Sequence, residues 1–221
     1  AHDHVEVEGA VYGGMLLPPY HDHSTRLREA DLSAASATPG LVSIEQRRGA
    51  IWAFGETYPA VRKALAAVDA KWKKPARPEA LDLEREIREG RKLKAVIEER
   101  GDLERELERS DRVISETYRT QFASTTPMET ETAVAEAKGA KATVWVSTQS
   151  PFLDREKIAR RLRVPESSVR VISTHLGGGF GAKAGHRVAD EAAALSSHAG
   201  RPVKLVYSRR DQFQRFSRYK E

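Results

Sequence analysis

Four glycines fall within five residues in the stretch Gly177-Gly178-Gly179-Phe180-Gly181. A β-branched run before it, Val169–Ser173, predicts a buried strand, and the apolar spacing over 187–198 after it predicts a helix. A strand, a glycine loop and a helix in that order can bring backbone N–H groups onto a phosphate or another anion. The loop is therefore the candidate binding element of this chain.

Two phosphate-binding motifs can be compared with the loop. A Walker A loop ends in Gly-Lys-Ser/Thr, whereas Ala182-Lys183-Ala184 lacks both the glycine and the hydroxyl. The loop is therefore not a Walker A motif. The dinucleotide fingerprint G-x-G-x-x-G/A matches Gly177, Gly179 and Ala182, and Arg209 and Arg210 after the next strand would suit a 2′-phosphate. The extra glycines, and the missing acid at the end of the next strand, count against this alternative.

The composition of the chain excludes several classes of function. The chain has 221 residues, 31% of them charged, a net charge of +5 and no cysteine, so disulfides, thiol catalysis and iron–sulfur ligation by this chain are excluded. Basic residues are mixed with acids and not interleaved with aromatics, which predicts no nucleic-acid partner. No apolar run approaches the roughly 20 residues of a membrane span, and no signal-peptide pattern is present. We expect a cytoplasmic protein, or a periplasmic one if it is exported with a partner.

Two His-x-His pairs, His2-Asp3-His4 and His21-Asp22-His23, could place imidazoles on one side of a strand. The sequence supplies no third ligand, so we interpret both pairs as solvated polar segments. No direct metal ligand is predicted.

The remaining pattern predicts alternating strands and helices. We expect a turn at Gly13-Gly14, a helix over 58–72, a charged helix over 83–107 and a long strand over 113–122. The charged helix is either a solvated element stabilised by i,i+4 pairs or a docking element for a partner subunit.

Several motifs, in order, resemble one family. Gly177 to Lys183 resembles the GGGFGGK loop of the molybdenum hydroxylases, the xanthine dehydrogenase and aldehyde oxidase family. Ser147-Thr148-Gln149-Ser150-Pro151 resembles its STQ-x-P segment, and Thr126-Pro127-Met128-Glu129 resembles the segment that opens its molybdenum-binding region. Gly200-Arg201-Pro202-Val203-Lys204 resembles the strand and turn that follow the loop. The match covers most of the chain with plausible spacing.

The resemblance implies an α+β fold. Residues 1–75 would form a shortened α/β-hammerhead-like domain and 76–110 a charged helical linker. Residues 111–221 would form the first portion of a molybdopterin-binding α+β domain.

The resemblance also implies roles for single residues. Gln149 would hydrogen-bond an oxygen ligand of molybdenum, and the backbone of Gly178, Gly179, Phe180 and Gly181 would approach the cofactor. The Phe180 ring would line one wall of the substrate pocket. Simpler alternatives are helix capping for Gln149 and core packing for Phe180. Ala184 stands where purine-oxidising relatives carry Glu, which argues against a purine substrate.

The implied activity is hydroxylation of an aldehyde or an N-heterocycle carbon with oxygen from water. The chain would be a partial molybdopterin-binding subunit, with the pterin in free or cytosine dinucleotide form. We find no candidate for the family's catalytic Glu, so we expect it on a partner chain that completes the molybdenum domain. Iron–sulfur centres, and FAD or haem, would lie on other partners. The alternatives are a non-catalytic assembly subunit, a fragment of a longer enzyme, and a nucleotide-binding α/β domain.

Overall fold

The computed structural model describes residues 5–18, 25–47, 49–73, 98, 100–118, 125–185 and 187–215. The chain divides into two compact units, one built from 1–75 together with 124–221 and the other from 76–123.

Within the described residues, the larger unit contains nine strands, five α-helices and a 3-10 helix at Glu166–Ser168. The strands are β1 (Val11–Met15), β2 (Arg26–Asp31), β3 (Leu41–Arg47), β4 (Ala50–Gly55), β5 (Asp69–Lys73), β6 (Thr132–Lys138), β7 (Lys141–Val146), β8 (Val169–Ser173) and β9 (Val203–Val206). The helices, in chain order with the one described helix of the smaller unit, are α1 (Ser33–Ser36), α2 (Tyr58–Ala66), α3 (Leu103–Arg109, in the smaller unit), α4 (Pro151–Leu162), α5 (Val188–Ala199) and α6 (Arg209–Arg215).

One mixed sheet organises the larger unit. Its seven strands run in the order β3-β4-β1-β9-β6-β7-β8, and β2 and β5 pair in a separate antiparallel ribbon. Within the seven-stranded sheet, β1 is parallel to β9 and β7 is parallel to β8, while the other neighbours are antiparallel. The predicted α+β class is confirmed.

Both faces of the sheet are covered, as the alternation along β4 shows. Ile51 and Ala53 pack in the cluster of α2, with Val61 and Leu65. The intervening Trp52 and Phe54 belong to the other cluster, which contains Leu195 and its neighbours on α5. Because successive strand residues point to opposite faces, α2 and α5 lie on opposite sides of the sheet.

The parallel pair β7 and β8 positions the candidate site. Val146 at the end of β7 is paired with Ser173 at the end of β8. The carboxyl ends of two parallel strands meet at the same edge of a sheet. The segment 147–150 and the glycine loop therefore leave the sheet side by side, although they are far apart along the chain.

The predicted turn at Gly13-Gly14 is wrong, because both glycines lie within β1. They face closely packed neighbours: a Cβ on Gly13 would meet Val203 Cγ1 at 2.6 Å, and one on Gly14 would meet Val61 Cγ1 at 2.6 Å. The glycines are needed for close packing of helices and strands, not for chain reversal.

The helix predicted over 58–72 is too long. It begins after Thr57, whose side chain accepts a hydrogen bond from Ala60 N at 3.3 Å, and ends at Ala66. Val68 and Trp72 fit the helical period, but Asp69–Lys73 pairs instead with β2. Long-range strand pairing overrides the local pattern here.

The smaller unit differs from prediction as well. Residues 113–118, predicted as part of a strand, have no regular structure, and 119–122 lie outside the described residues. Of the charged helix predicted over 83–107, residues 98 and 100–107 are described, and α3 begins at Leu103. All residues of α3 are exposed.

The division into a hammerhead-like domain, a linker and a molybdopterin-binding portion stays a prediction. In the structure, β1, β3 and β4 from the first 75 residues join the same sheet as β6 to β9. None of the helices described here has the length and apolarity needed to cross a membrane.

The glycine at position 14 gives a test of this packing. We expect Gly14→Ala to lower the free energy of unfolding by about 1–3 kcal/mol, because the added methyl overpacks the contact with α2. Urea denaturation measures the change. In Gly14→Ala/Val61→Ala the nearest clashing atom is gone, so the double variant should be less destabilised than the sum of the single variants. Additive losses would contradict this packing.

Candidate functional site

The glycine loop has an unusual backbone. Gly178 and Gly181 have φ of 89° and 83°, and Phe180 between them has φ of 50°. A positive φ in a bulky residue is costly and usually marks a constrained turn. The Phe180 side chain is 70% exposed, so the core-packing interpretation of this residue is wrong.

Four consecutive amides of the loop lack an acceptor in the part of the chain that the structure describes. Within the described residues, the N–H groups of Gly178, Gly179, Phe180 and Gly181 donate to no backbone or side-chain acceptor. The flanking amides are engaged: Gly177 N donates to Glu129 Oε2 at 2.8 Å and Ala182 N to Gly179 O at 2.9 Å. A run of unpaired N–H groups in a tight loop is a typical anion-binding feature.

Gln149 lies directly against this loop. A Cβ on Gly179 would come within 2.5 Å of Gln149 Cδ and Oε1, so position 179 must be glycine for the amide to lie there. Gln149 N donates to Lys183 O at 2.9 Å, and Lys183 N donates back to Gln149 Oε1 at 3.3 Å.

The orientation of the Gln149 amide follows from these bonds. Its oxygen accepts a hydrogen bond from the Lys183 N–H, so its NH₂ group is the end of the amide that points away from that bond. Gln149 is exposed, and within the described part of the chain Nε2 has no partner. The helix-capping alternative is not supported, since the side chain of Gln149 bonds the loop and the residue preceding α4 is Ser150.

Lys183 points inward. Its side chain is fully buried and pairs with Glu129, with Nζ 2.5 Å from Oε2. The same carboxylate oxygen accepts the Gly177 amide, so one side chain of the Thr126–Glu129 segment holds both ends of the glycine-rich stretch. Lys183 Nζ also lies 3.4 Å from Ser147 Oγ.

The environment of Glu129 favours its ionised form. Partial burial alone would raise its pKa, but the hydrogen bonds from Lys183 and Gly177 and the Lys183 charge outweigh burial and lower the pKa to about 2. Sequence reasoning missed this role of Glu129. No sequence signal marks the pair, because Glu129 and Lys183 are 54 positions apart along the chain.

The remaining predicted residue, Ala184, is exposed on the turn after the loop, where its amide donates to Gly181 O at 3.3 Å. The structure thus brings Gln149 together with Gly178 to Gly181 and leaves Ala184 at the margin. The His2 and His21 pairs lie outside the described residues. Among the residues that are described, no group of three His, Cys, Asp or Glu could hold a metal ion.

The dinucleotide alternative is not supported by the topology. In that fold the strands flanking the glycine loop and its helix are neighbours, whereas here β6 and β7 separate β8 from β9. Arg209 is also engaged elsewhere: it donates to Pro127 O, to Met128 O at 3.2 Å and to Gln212 Oε1 at 2.5 Å. It supports the Thr126–Glu129 segment.

We predict a pH-dependent stability from the Glu129 pair. Since its pKa is lowered on folding, the stabilisation is complete above about pH 4.5 and is lost as the pH falls towards 2. Glu129→Gln should remove this dependence and, by leaving Lys183 buried without its counter-charge, cost about 3 kcal/mol at pH 7 in urea denaturation.

The matched control is Glu166→Gln, which breaks the exposed Arg155–Glu166 pair at 3.2 Å. An exposed ion pair should contribute less than about 1 kcal/mol. Equal losses in the two variants would contradict the importance of the buried pair.

Comparison with known proteins shows the family of this chain. The family model described as "Molybdopterin cofactor-binding domain" matches residues 87–218. The chain is 35% identical over 151 residues to a protein of Bacillus subtilis described as a probable xanthine dehydrogenase component, covering 67% of this chain and 20% of that protein. It is 37% identical over 115 residues to the nicotinate dehydrogenase large molybdopterin subunit of Eubacterium barkeri, covering 51% of this chain and 27% of that one.

The fold is also found among solved structures. The aldehyde oxidoreductase from Desulfovibrio gigas superposes with a TM-score of 0.74 over 95% of this chain and 28% of its own, at 15% identity. The chain therefore spans between a fifth and a third of the length of these proteins. With a family model matching more than half of its residues, this chain belongs to the molybdopterin cofactor-binding domain family.

Proposed function

We propose that this chain forms one wall of the molybdopterin pocket of a multi-subunit molybdenum hydroxylase. One observation carries the proposal: the amides of Gly178–Gly181 and the NH₂ group of Gln149, which have no acceptor among the described residues, meet at one end of the sheet. These five groups are all hydrogen-bond donors, which suits an electron-rich, anionic ligand and no cation.

The residues present fit such a cofactor. A Cβ at Gly177, Gly178 or Gly179 would come within about 3 Å of Glu129, Phe180 or Gln149, respectively. The loop can therefore adopt this conformation only with glycine at these positions. The donors are neutral, and the one lysine of the loop is neutralised internally by Glu129. A wall without net charge can hold a group whose charge changes during turnover without strongly favouring one redox state.

Bound molybdopterin would supply the redox chemistry, the hydroxylation of an aldehyde or N-heterocycle carbon with oxygen from water. This chain's own residues would bind and orient the cofactor. Gln149 Nε2 donates to an acceptor on it, and the Gly178–Gly181 amides hold a second acceptor group. The exposed ring of Phe180 shields the substrate side from water.

Family membership implies that other parts of the enzyme lie outside this sequence or on other chains. Because the chain spans 20% and 27% of the two curated relatives, we infer that the catalytic Glu and the remaining pterin contacts come from sequence outside these 221 residues. Electron carriers such as iron–sulfur centres, with FAD or haem, would belong to partner chains. The small residue Ala184 in place of the purine-recognising Glu favours an aldehyde or a simple N-heterocycle as substrate.

Replacement of Gln149 tests the proposal. In the complex purified with its natural partners, Gln149→Ala should lower molybdenum content or turnover at least about tenfold, because an orienting hydrogen bond to the cofactor is lost. Mass spectrometry measures the metal, and steady-state kinetics measures turnover.

Gln46→Ala is the matched control, since Gln46 is an exposed glutamine of β3. It should leave both quantities unchanged. The absence of molybdenum from the wild-type complex would disprove the proposal. Full activity of the Gln149 variant would favour a non-catalytic assembly role for this chain.

A further inference from the structure

One arginine of α6 has no part in the proposed function but bonds the segment that precedes β6. Arg209 is the first residue of α6, and its guanidinium donates to three oxygens. Nη2 donates to Pro127 O and, at 3.2 Å, to Met128 O, while Nη1 donates to Gln212 Oε1 at 2.5 Å. The N–H donors of arginine lie in a rigid plane, so bonds to two consecutive carbonyls fix the place and the orientation of that segment.

The register of the sheet explains how the arginine reaches this segment. β6 and β9 are antiparallel, with Thr132 opposite Val206, so the residues before Thr132 lie beside those after Val206. The pairing continues one step beyond the strands, where Tyr207 N donates to Glu131 O at 3.0 Å. The arginine follows two residues later, and its long side chain reaches back to residues 127–128.

This segment contacts the glycine loop through two residues. Pro127 is buried, and a Cβ on Gly178 would come within 3.1 Å of its Cβ. Glu129 N donates to Gly177 O at 3.3 Å, and Gly177 N donates back to Glu129 Oε2 at 2.8 Å. The same carboxylate pairs with Lys183 at the other end of the loop. The carbonyls that the arginine holds belong to the two residues before Glu129, so the arginine determines where this carboxylate lies.

We propose that Arg209 is a positioning residue for the glycine loop. By holding the carbonyls of Pro127 and Met128, it keeps Glu129 within reach of both ends of the glycine-rich stretch. It thereby fixes the backbone of Gly178–Gly181 between those ends. The proposal rests on the proposed function for its meaning, since the amides of these four residues are the ones assigned to the cofactor. The positioning itself concerns only groups of this chain.

The helix that carries the arginine is itself fixed at its first turn. Ser208 N and Oγ donate to Asp211 Oδ2 at 2.9 and 2.8 Å, and Asp211 N donates back to Ser208 Oγ at 3.1 Å, which makes a reciprocal cap. Arg62 of α2 donates to the same carboxylate oxygen at 2.7 Å. Gln212, which accepts from Arg209, is buried. The guanidinium is therefore supported from a rigid base, which precise positioning requires.

Amide hydrogen exchange of the chain in its native complex tests this positioning. Arg209→Met keeps an unbranched side chain but removes every donor. In this variant the amides of Gly177 and Glu129 should exchange about tenfold faster, because the segment loses hydrogen bonds from a charged donor. The ladder amides of β6 and β7 should keep their wild-type rates. They report the stability of the whole unit, which a merely structural loss would lower.

Two further variants make the test specific. Arg209→Lys keeps the charge but not the planar fork, so it should restore only part of the protection, with exchange about threefold faster than in the wild type. Arg210→Met is the matched control, since Arg210 is the exposed neighbour on the same helix. It should leave exchange at Gly177 and Glu129 unchanged.

Wild-type exchange at Gly177 and Glu129 in Arg209→Met would disprove the positioning. An equal loss of protection in Arg210→Met, or in the ladder of β6 and β7, would contradict it as well. If Arg209→Met does not assemble into the complex, Arg209→Lys decides alone, and wild-type exchange in that variant overturns the proposal.

Molybdenum content of the wild-type complex is measured in parallel by mass spectrometry. A complex without molybdenum would contradict the proposed function and leave the exchange result standing, because both hydrogen bonds between Glu129 and Gly177 form within this chain.

Discussion

The site depends on one buried ion pair. A lysine with no exposed surface cannot remain charged without a counter-charge, and Glu129 supplies it at 2.5 Å. Because the Glu129 carboxylate also accepts the Gly177 amide, it fixes the start of the glycine loop while Lys183 fixes its end. Among the described residues, the four central amides of the loop then have no acceptor. The lysine that looks like a phosphate-binding residue in the sequence is a structural residue that frees the backbone for binding.

A second set of bonds joins this loop to the segment before α4. The Gln149 backbone and side chain both bond Lys183, and Thr148 bonds it too. These contacts are reachable because β7 and β8 are parallel neighbours whose ends coincide. The three segments 126–129, 147–150 and 177–185 therefore behave as one unit. Rigid support of this kind is what a binding site needs to hold a ligand in a single orientation.

Part of this arrangement could be predicted from the sequence. The glycine loop, its flanking strand and helix, and its association with Gln149 followed from local pattern and from motifs in register, and the structure places them together. The α+β class was predicted for the same reason. Three other features could not be predicted from the sequence: the length of the helix after Thr57, the position of Gly13-Gly14 in a strand, and the β2–β5 ribbon. Strand pairing and close packing between distant segments decide them. The Glu129–Lys183 pair was missed because opposite charges 54 positions apart have no sequence signal of their own.

The central claim is that the free amides and Gln149 form a wall of the cofactor pocket. Diffraction from crystals of the native complex, collected at the molybdenum absorption edge, tests it most directly. We predict an anomalous peak beside the loop, with a cofactor atom within hydrogen-bond distance of Gln149 Nε2, about 2.7–3.2 Å, and with the Glu129–Lys183 pair intact. A peak remote from residues 177–181, or Lys183 turned outward onto the ligand, would contradict it.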